Sequence, residues 1–185
     1  MLDEFVARLT ARVGELTVGD PRDPATRVAP LIDPAATDRV LAWIAEAEQA
    51  GAKVLHGGRV VHRTLEPTIL LDVPETAQAW CEEVFAPVVA INPVPDLAAA
   101  LEAVNRSRYG LHAAVFTRSL ATAFAAIEEL DVGGVVINEV PGFRSDIMPY
   151  GGVKDSGTGR EGPRFAIEEL TVTRMAVIRP ERARR

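Results

Sequence analysis

The chain has 185 residues, of which 48% are hydrophobic and 25% are charged. It is therefore able to bury a core, and disorder over most of its length is excluded. Its net charge of −6 argues against a dedicated nucleic-acid-binding protein. One cysteine excludes an intrachain disulfide, and the spacing of the three histidines (His56, His62 and His112) predicts no metal site. No stretch approaches the roughly 18 apolar residues of a membrane span, and a cytoplasmic location is expected.

The first half of the chain predicts two helices and three short strands. Apolar spacing over residues 3–16 predicts an amphipathic helix, which a turn-rich connection with three prolines follows at residues 18–31. Asp33 followed by Pro34 is typical of a helix start. That helix should turn three side chains inward: Val40, Ile44 and Ala47. The runs KVLHGG, RVVHR and TILLDV, bounded by glycine or proline, predict strands.

Strands and helices then alternate. The segments VVAINPV, HAAVFT and GGVVIN predict strands. Asp96 should cap a helix over residues 97–105, and Ser119 should cap a second. The second helix carries one apolar stripe made of Leu120, Phe124, Ile127 and Leu130. This order favours parallel β-α-β units, so the predicted class is α/β, with a mostly parallel sheet covered by helices on both faces.

The last quarter of the chain contains a long irregular stretch, residues 139–162. A loop of this length inside a compact domain is typically functional. A helix at residues 163–170 and a β-branched strand at residues 171–178 (TVTRMAVI) are predicted to follow, with a basic tail at residues 179–185. The strand has two possible positions, one in the chain's own sheet and one in the sheet of a partner.

The segment 157–162 reads Gly-Thr-Gly-Arg-Glu-Gly, which is a literal G-x-G-x-x-G. A dinucleotide-binding fingerprint needs a strand directly before it and a β-α-β unit around it. The preceding residues do not predict a strand, and too few residues follow to complete the unit. The pattern is therefore interpreted as a glycine-rich turn that leads into the last helix.

Cys81 is the one candidate thiol nucleophile. Its neighbours include Glu82 and Glu83, and acidic neighbours raise rather than lower the pKa of a thiol, so an incidental cysteine is favoured over an independent hydrolase or transferase. The two glutamates are open to two interpretations, a general-base pair or a solvated turn before a strand.

Four residues of the long loop form another candidate. Arg144 and Asp146 lie beside two aromatic residues, Phe143 and Tyr150. The aromatic side chains either line a pocket or plug the loop around a local Arg-Asp ion pair, and the residue pattern does not separate these interpretations.

Several distinctive blocks occur in order along the chain. They include E-E-V-F-A-P at residues 82–87, Y-G-L-H-A-A-V-F at residues 109–116 and P-Y-G-G-V-K-D-S-G-T-G-R-E at residues 149–161. In this order the chain resembles the NAD(P)-dependent aldehyde dehydrogenases from about residue 3 to 178. The combination F-R-x-D-x-M-P-Y-G-G is more similar to the lactaldehyde and non-phosphorylating glyceraldehyde-3-phosphate dehydrogenase branch than to the broad-specificity branch.

The resemblance implies a role for individual residues. Glu83 is implied to hold the ribose hydroxyls of the nicotinamide half of NAD or NADP, and Phe85 to pack beside that ribose. Phe143 and Tyr150 are implied to line the aldehyde site. Arg144 is expected to meet an anionic or hydroxylated substrate, because a guanidinium suits carboxylate or phosphate.

The resemblance also implies an organisation. Residues 1–170 correspond to an incomplete catalytic domain, and residues 171–178 to the strand that joins a neighbouring subunit in the family's oligomers. The family's nucleophilic cysteine, general-base glutamate and dinucleotide-binding domain lie upstream of the matched region. No catalytic residue is therefore assigned, and oxidation of an aldehyde to a carboxylic acid is not expected from this chain alone.

Two kinds of partner are consistent with this organisation. The chain pairs either with a second copy of itself or with a complementary N-terminal part of an aldehyde dehydrogenase. A different hypothesis is a non-catalytic interaction module that pairs through its sheet edge. No nucleic-acid or membrane partner is expected.

Overall fold

The computed structural model describes residues 1–179. The chain divides into two compact units, Met1–Pro95 (unit 1) and Asp96–Arg185 (unit 2). The described residues form six helices and several small sheets, so the predicted α/β class is confirmed. Within the described part of the chain, no helix combines the length and apolar character needed to cross a membrane.

Unit 1 is built around the strand β4. Its helices are α1 (Leu2–Gly14), α2 (Pro34–Gln49) and α3 (Gln78–Cys81). Its strands are β1 (Lys53–His56), β2 (Val60–Val61), β3 (Thr64–Leu65), β4 (Thr68–Leu71) and β5 (Val88–Ile91). β4 pairs with β1 in the antiparallel sense and with β5 in the parallel sense, while β2 and β3 form a hairpin.

The core of unit 1 forms where α2 packs with the strands. The side chain of Asp33 accepts a hydrogen bond of 2.6 Å from the backbone N–H of Ala36, which fixes the helix start as predicted. The three predicted inward residues of α2 are all buried, and they cluster with Leu65, Leu70 and Val73. Trp80, Val84 and Val88 pack against the same cluster, so the segment between α3 and β5 is attached to the core.

Unit 2 contains a parallel β-α-β unit. Its helices are α4 (Leu97–Asn105), α5 (Leu120–Glu129) and α6 (Pro163–Leu170). Its strands are β6 (Tyr109–Gly110), β7 (His112–Val115), β8 (Gly134–Ile137) and β9 (Val153–Lys154). β7 and β8 pair in parallel across α5, and β6 pairs with β9 in the antiparallel sense. The predicted caps Asp96 and Ser119 accept backbone hydrogen bonds from Ala99 and Thr122.

The apolar stripe predicted for α5 is not the face that the helix buries. Leu120, Phe124 and Ile127 are 76%, 59% and 51% exposed. The buried positions are instead Ala123 and Ala126. Small side chains allow a helix to approach its neighbours closely, and Ala126 clusters with residues of α4, β7 and β8. Only Leu130, just after the helix, faces the core as predicted.

Residues 171–179 follow α6 without pairing to any strand in the described part of the chain. Their apolar side chains are open to solvent, with Val172 93% exposed and Ile178 86% exposed. A strand in the chain's own sheet is thus not formed, and a strand that completes a partner's sheet stays a prediction. Of the basic tail, residues 180–185 lie outside the described residues.

A close backbone contact holds the long loop of unit 2 against β8. A Cβ atom added to Gly133 would lie 1.8 Å from the carbonyl oxygen of Gly151. The N–H of Gly133 also donates a 3.0 Å hydrogen bond to the carbonyl of Gly110, in β6. Only glycine at position 133 permits this approach.

We predict that Gly133→Ala destabilises unit 2, because the added methyl group collides with the backbone carbonyl of Gly151. A cost of about 2 kcal/mol is expected, which accelerates amide hydrogen exchange in β8 by roughly 30-fold. Gly142→Ala is the matched control, since a Cβ atom there meets nothing within 4 Å. Equal exchange rates in the two variants would contradict the contact.

Candidate functional site

In unit 1 the predicted site residues lie in the connection between α3 and β5. The short helix α3 ends at Cys81, whose side chain is half-buried. The Sγ atom lies 4.0 Å from the carbonyl oxygen of Thr76. Among the described residues, no base or cation makes a hydrogen bond or ion pair with the thiol, so the structure gives it no activating group.

The connection is fixed on both sides of Phe85. The guanidinium Nη2 of Arg39 donates a 3.2 Å hydrogen bond to the carbonyl of Val84, and the same guanidinium stacks 4.5 Å from the ring centroid of Trp43. After Phe85, the N–H of Thr68 donates a 2.8 Å bond to the carbonyl of Pro87. The backbone of this segment is therefore held from two elements, α2 and β4.

Glu83 and Phe85 project from this fixed segment. Glu83 is exposed, and its carboxylate has no hydrogen-bond or ion-pair partner among residues 1–179. Phe85 has a φ of +51° and is 82% exposed. A bulky residue in the left-handed region is strained, and such strain concentrates at functional sites. The sequence contains no local signal for this conformation, which occurs between the two flanking contacts.

In unit 2 the structure brings Arg144 and Tyr150 together. The Cζ atom of Arg144 lies 4.8 Å from the ring centroid of Tyr150, and its Nη2 atom donates a 2.6 Å hydrogen bond to Oε2 of Glu161. Tyr150 and Glu161 also exchange two backbone hydrogen bonds, of 3.0 and 2.6 Å. The partner of Arg144 is thus Glu161, 17 residues further along the chain, rather than the nearby Asp146 that the sequence suggested.

His112 completes this cluster and was not identified as a site residue from the sequence. Its ring contacts that of Tyr150 edge-on, with centroids 4.9 Å apart and an interplanar angle of 68°. Its Nδ1 atom lies 3.0 Å from the carbonyl oxygen of Pro141, whereas Nε2 is buried without a partner. The neighbouring Gly134 leaves room for the ring, since a Cβ atom there would lie 2.6 Å from Nε2.

Phe143, like Asp146, is a predicted loop residue that makes no hydrogen bond, ion pair or ring contact with the cluster in the part of the chain that the structure describes. Its backbone N–H donates a 3.0 Å hydrogen bond to the carbonyl of Val140, and its side chain is 49% exposed. Within the described residues, the ring contact of Tyr150 is made with His112 and does not include Phe143. The loop's two aromatic side chains therefore do not stack on each other.

A cavity of about 370 Å³ lies next to Tyr150. Its wall includes the glycine-rich turn of residues 157–159 together with Arg160 and Glu161. The turn leads into α6, as interpreted from the sequence, and Arg160 fixes it by donating to the carbonyls of Gly152 and Gly159. The glycines of the G-x-G-x-x-G pattern thus shape a cavity wall rather than a dinucleotide-binding strand-turn-helix.

A larger cleft, of about 770 Å³, lies in unit 1 and contains none of the predicted site residues. It is lined by the proline-rich connection before α2 and by His62 and Arg63 of the β2-β3 turn. On its rim, hydrogen bonds from Arg22 lower the pKa of Asp20 below its usual range. Among the described residues, no group of three or more His, Cys, Asp or Glu side chains is arranged to hold a metal ion.

Comparison with known proteins assigns the chain to a family. The sequence profile of the aldehyde dehydrogenase family matches residues 1–176. The chain is 41% identical over 174 residues to the 3-sulfolactaldehyde dehydrogenase of Priestia aryabhattai, and the match covers 94% of this chain and 36% of that enzyme.

Solved structures show the same relationship. An aldehyde dehydrogenase from Physcomitrella patens in complex with the reaction product succinate matches with a TM-score of 0.89 and 39% identity, over 91% of this chain and 35% of that one. The glyceraldehyde-3-phosphate dehydrogenase GapN from Methanocaldococcus jannaschii, complexed with NADP, matches with a TM-score of 0.85 and 38% identity, over 91% and 36% of the two chains. The chain spans about a third of the length of these proteins, and it belongs to the aldehyde dehydrogenase family.

Proposed function

We propose that this chain supplies the C-terminal part of the catalytic domain of an NAD(P)-dependent aldehyde dehydrogenase and has no dehydrogenase activity by itself. The observation that carries the proposal is the pair of exposed side chains Glu83 and Phe85 on a segment held from both sides. Their positions correspond to the cofactor-binding residues that the family resemblance implies. Family membership and a coverage of 36% of the sulfolactaldehyde dehydrogenase support the same conclusion.

The residues present fit the nicotinamide ribose. A carboxylate offers acceptors only, and the two ribose hydroxyls are donors, so the unpartnered carboxylate of Glu83 is suited to bind both. Phe85, already exposed, provides an apolar surface beside the sugar. The nicotinamide cofactor supplies the hydride acceptor when it is bound. The contribution of this chain is to orient the ribose, which fixes the ring that carries the reacting carbon.

The substrate side of the proposal rests on Arg144 and Tyr150. The names of the relatives include 3-sulfolactaldehyde and glyceraldehyde-3-phosphate, and one structure contains succinate, so each of these ligands carries an anionic group. A guanidinium positioned over an aromatic ring keeps N–H donors free for an oxyanion. We propose that Arg144 binds the anionic end of a short aldehyde and that Tyr150 walls its carbon chain.

The overall reaction converts an aldehyde, an oxidised nicotinamide cofactor and water into a carboxylic acid, the reduced cofactor and a proton. It requires a thiolate nucleophile and a base that activates water, and neither is assigned to this chain. Cys81 is not proposed as the nucleophile, because its contacts include no activating group. The chain thus binds and orients the cofactor and the aldehyde, while the nucleophile and the base come from the complementary part of the enzyme.

A chimera tests this proposal, with the chain replacing the 174 matching residues of the Priestia aryabhattai 3-sulfolactaldehyde dehydrogenase. The chimera is expected to form reduced cofactor with 3-sulfolactaldehyde, and the 185-residue chain alone is expected to form none. In the chimera, Glu83→Gln should raise the KM for the cofactor about ten-fold through loss of charge-assisted hydrogen bonds. Initial rates measured by absorbance of the reduced cofactor provide the readout.

Two matched variants accompany this experiment. Glu82→Gln makes the same charge change one residue earlier and should leave the KM for the cofactor unchanged. Cys81→Ala should leave kcat unchanged, since the thiol is not the nucleophile. Repurified 185-residue chain that still turns over the aldehyde, or an unchanged cofactor KM in the Glu83→Gln chimera, would contradict the proposal.

A second candidate function, a self-pairing interaction module, is favoured by one observation. The segment 171–178 has no partner strand among the described residues, and four of its apolar side chains are more than 80% exposed: Val172, Met175, Val177 and Ile178. An unpaired apolar segment is suited to add a strand to the sheet of another chain.

We predict that Val172→Pro or Val177→Pro abolishes dimers of the chain, because proline removes a backbone N–H from a strand ladder. Molar mass from light scattering after size exclusion is the measurement. Val172→Ala retains the N–H, so its dimer dissociation constant should stay within about ten-fold of that of the parent chain. A monomeric parent chain, or dimers that tolerate both prolines, would rule out this function.

A further inference from the structure

Arg144 has a single hydrogen-bond acceptor among the described residues. Its Nη2 atom donates to Oε2 of Glu161 at 2.6 Å while its guanidinium lies over Tyr150. A guanidinium carries five N–H donors, so most of them have no acceptor among residues 1–179. The carboxylate of Glu161 therefore stands where the anionic group of a ligand for Arg144 would bind.

Glu161 is held in this place by its backbone. It exchanges two hydrogen bonds with Tyr150, and the residue that follows, Gly162, adopts a φ of +121° directly before α6. The same bridge thus presents the aromatic ring beneath the guanidinium and the carboxylate beside it. Because the anchor is backbone, the side chain of Glu161 remains within reach of Arg144 when an anion binds there.

The ion pair itself is accessible and exchangeable. The side chains of Arg144 and Glu161 are 48% and 63% exposed, and ion pairs in such surroundings are weak. An anion from solution is able to displace the carboxylate from the guanidinium without unfolding any element. After displacement, the carboxylate and the bound anion both lie near Arg144 and repel each other.

We propose that Glu161 is a specificity-determining residue of the substrate site: an internal anion that competes with the substrate's anionic group for Arg144 and weakens binding in proportion to that group's charge. This inference rests on the proposed substrate role of Arg144. A like charge about 5 Å away in water-like surroundings weakens binding roughly four-fold for a monoanion and roughly 16-fold for a dianion. Glu161 therefore favours singly charged sulfonates and carboxylates over phosphate dianions.

The test is an anion titration of the intact 185-residue chain at constant ionic strength and about pH 8, where a phosphate monoester is a dianion. The probes are 2-hydroxyethanesulfonate, a monoanion, and glycerol 3-phosphate, a dianion under these conditions. The readout is the Nε–Hε NMR signal of Arg144, assigned by its absence from Arg144→Gln. In Glu161→Gln, the Kd should fall roughly four-fold for the sulfonate and roughly 16-fold for the phosphate.

Glu168→Gln is the matched control. Glu168 forms a similar exposed ion pair with Arg164 on α6, so its removal changes the net charge equally and should alter either Kd by less than about two-fold. Weaker binding in Glu161→Gln would mean that the carboxylate positions Arg144, and would overturn the proposal. The proposal would also be overturned if the Kd fell by the same factor for both probes. It would be overturned as well if neither probe shifted the Arg144 signal in Glu161→Gln. The chimera's activity is measured separately, so a failure there is distinguishable from a failure here.

Discussion

The long loop of unit 2 depends on a backbone approach that only glycine permits. Gly133 meets the carbonyl of Gly151 at a distance that leaves no space for a side chain. This contact places the loop beside the start of β8. The loop residue that makes it, Gly151, directly follows Tyr150. Tyr150 makes the edge contact with His112 and the backbone bridge to Glu161. The strand β9 within the same loop adds a second attachment, because it pairs with β6.

In unit 1, the segment that carries the candidate site residues is also attached to regular structure, but by hydrogen bonds. Its site segment is not seated by glycine but by hydrogen bonds that α2 and β4 make to the carbonyls of Val84 and Pro87. Between these points Phe85 is held in the left-handed region, a strained conformation that the flanking contacts stabilise. Strain of this kind is compatible with a stable fold because the core beneath the segment is well buried.

The exposed surfaces fit a chain that spans about a third of the length of its relatives. Apolar side chains on α5 and along residues 171–178 are open to solvent, whereas other apolar side chains of the same unit are buried in its core. Exposed apolar surface of this extent is typical of interfaces rather than of a finished monomer surface. Both proposed functions, a complementing part of an enzyme and a self-pairing module, make use of that property.

Much of the local structure was predictable. The caps Asp33, Asp96 and Ser119 lie where the sequence placed them, since a cap and the residue whose N–H it accepts are only three positions apart. The parallel β-α-β unit followed from the alternation of short apolar runs with helical spacing. The family blocks named four residues of the candidate site, because such blocks are read directly from residue identity and order: Glu83, Phe85, Arg144 and Tyr150.

What the sequence by itself determined is thus the class of fold, the helix starts and the family. The tertiary structure alone decided which face of α5 is buried, because small alanine side chains allow closer packing than larger apolar ones. It alone paired Arg144 with Glu161 instead of Asp146, and brought His112 to Tyr150, across 17 and 38 residues of chain. It also imposed the left-handed conformation of Phe85. Each of these features depends on contacts between residues that are far apart in the sequence. A local sequence pattern does not contain that information, because only folding brings such residues together.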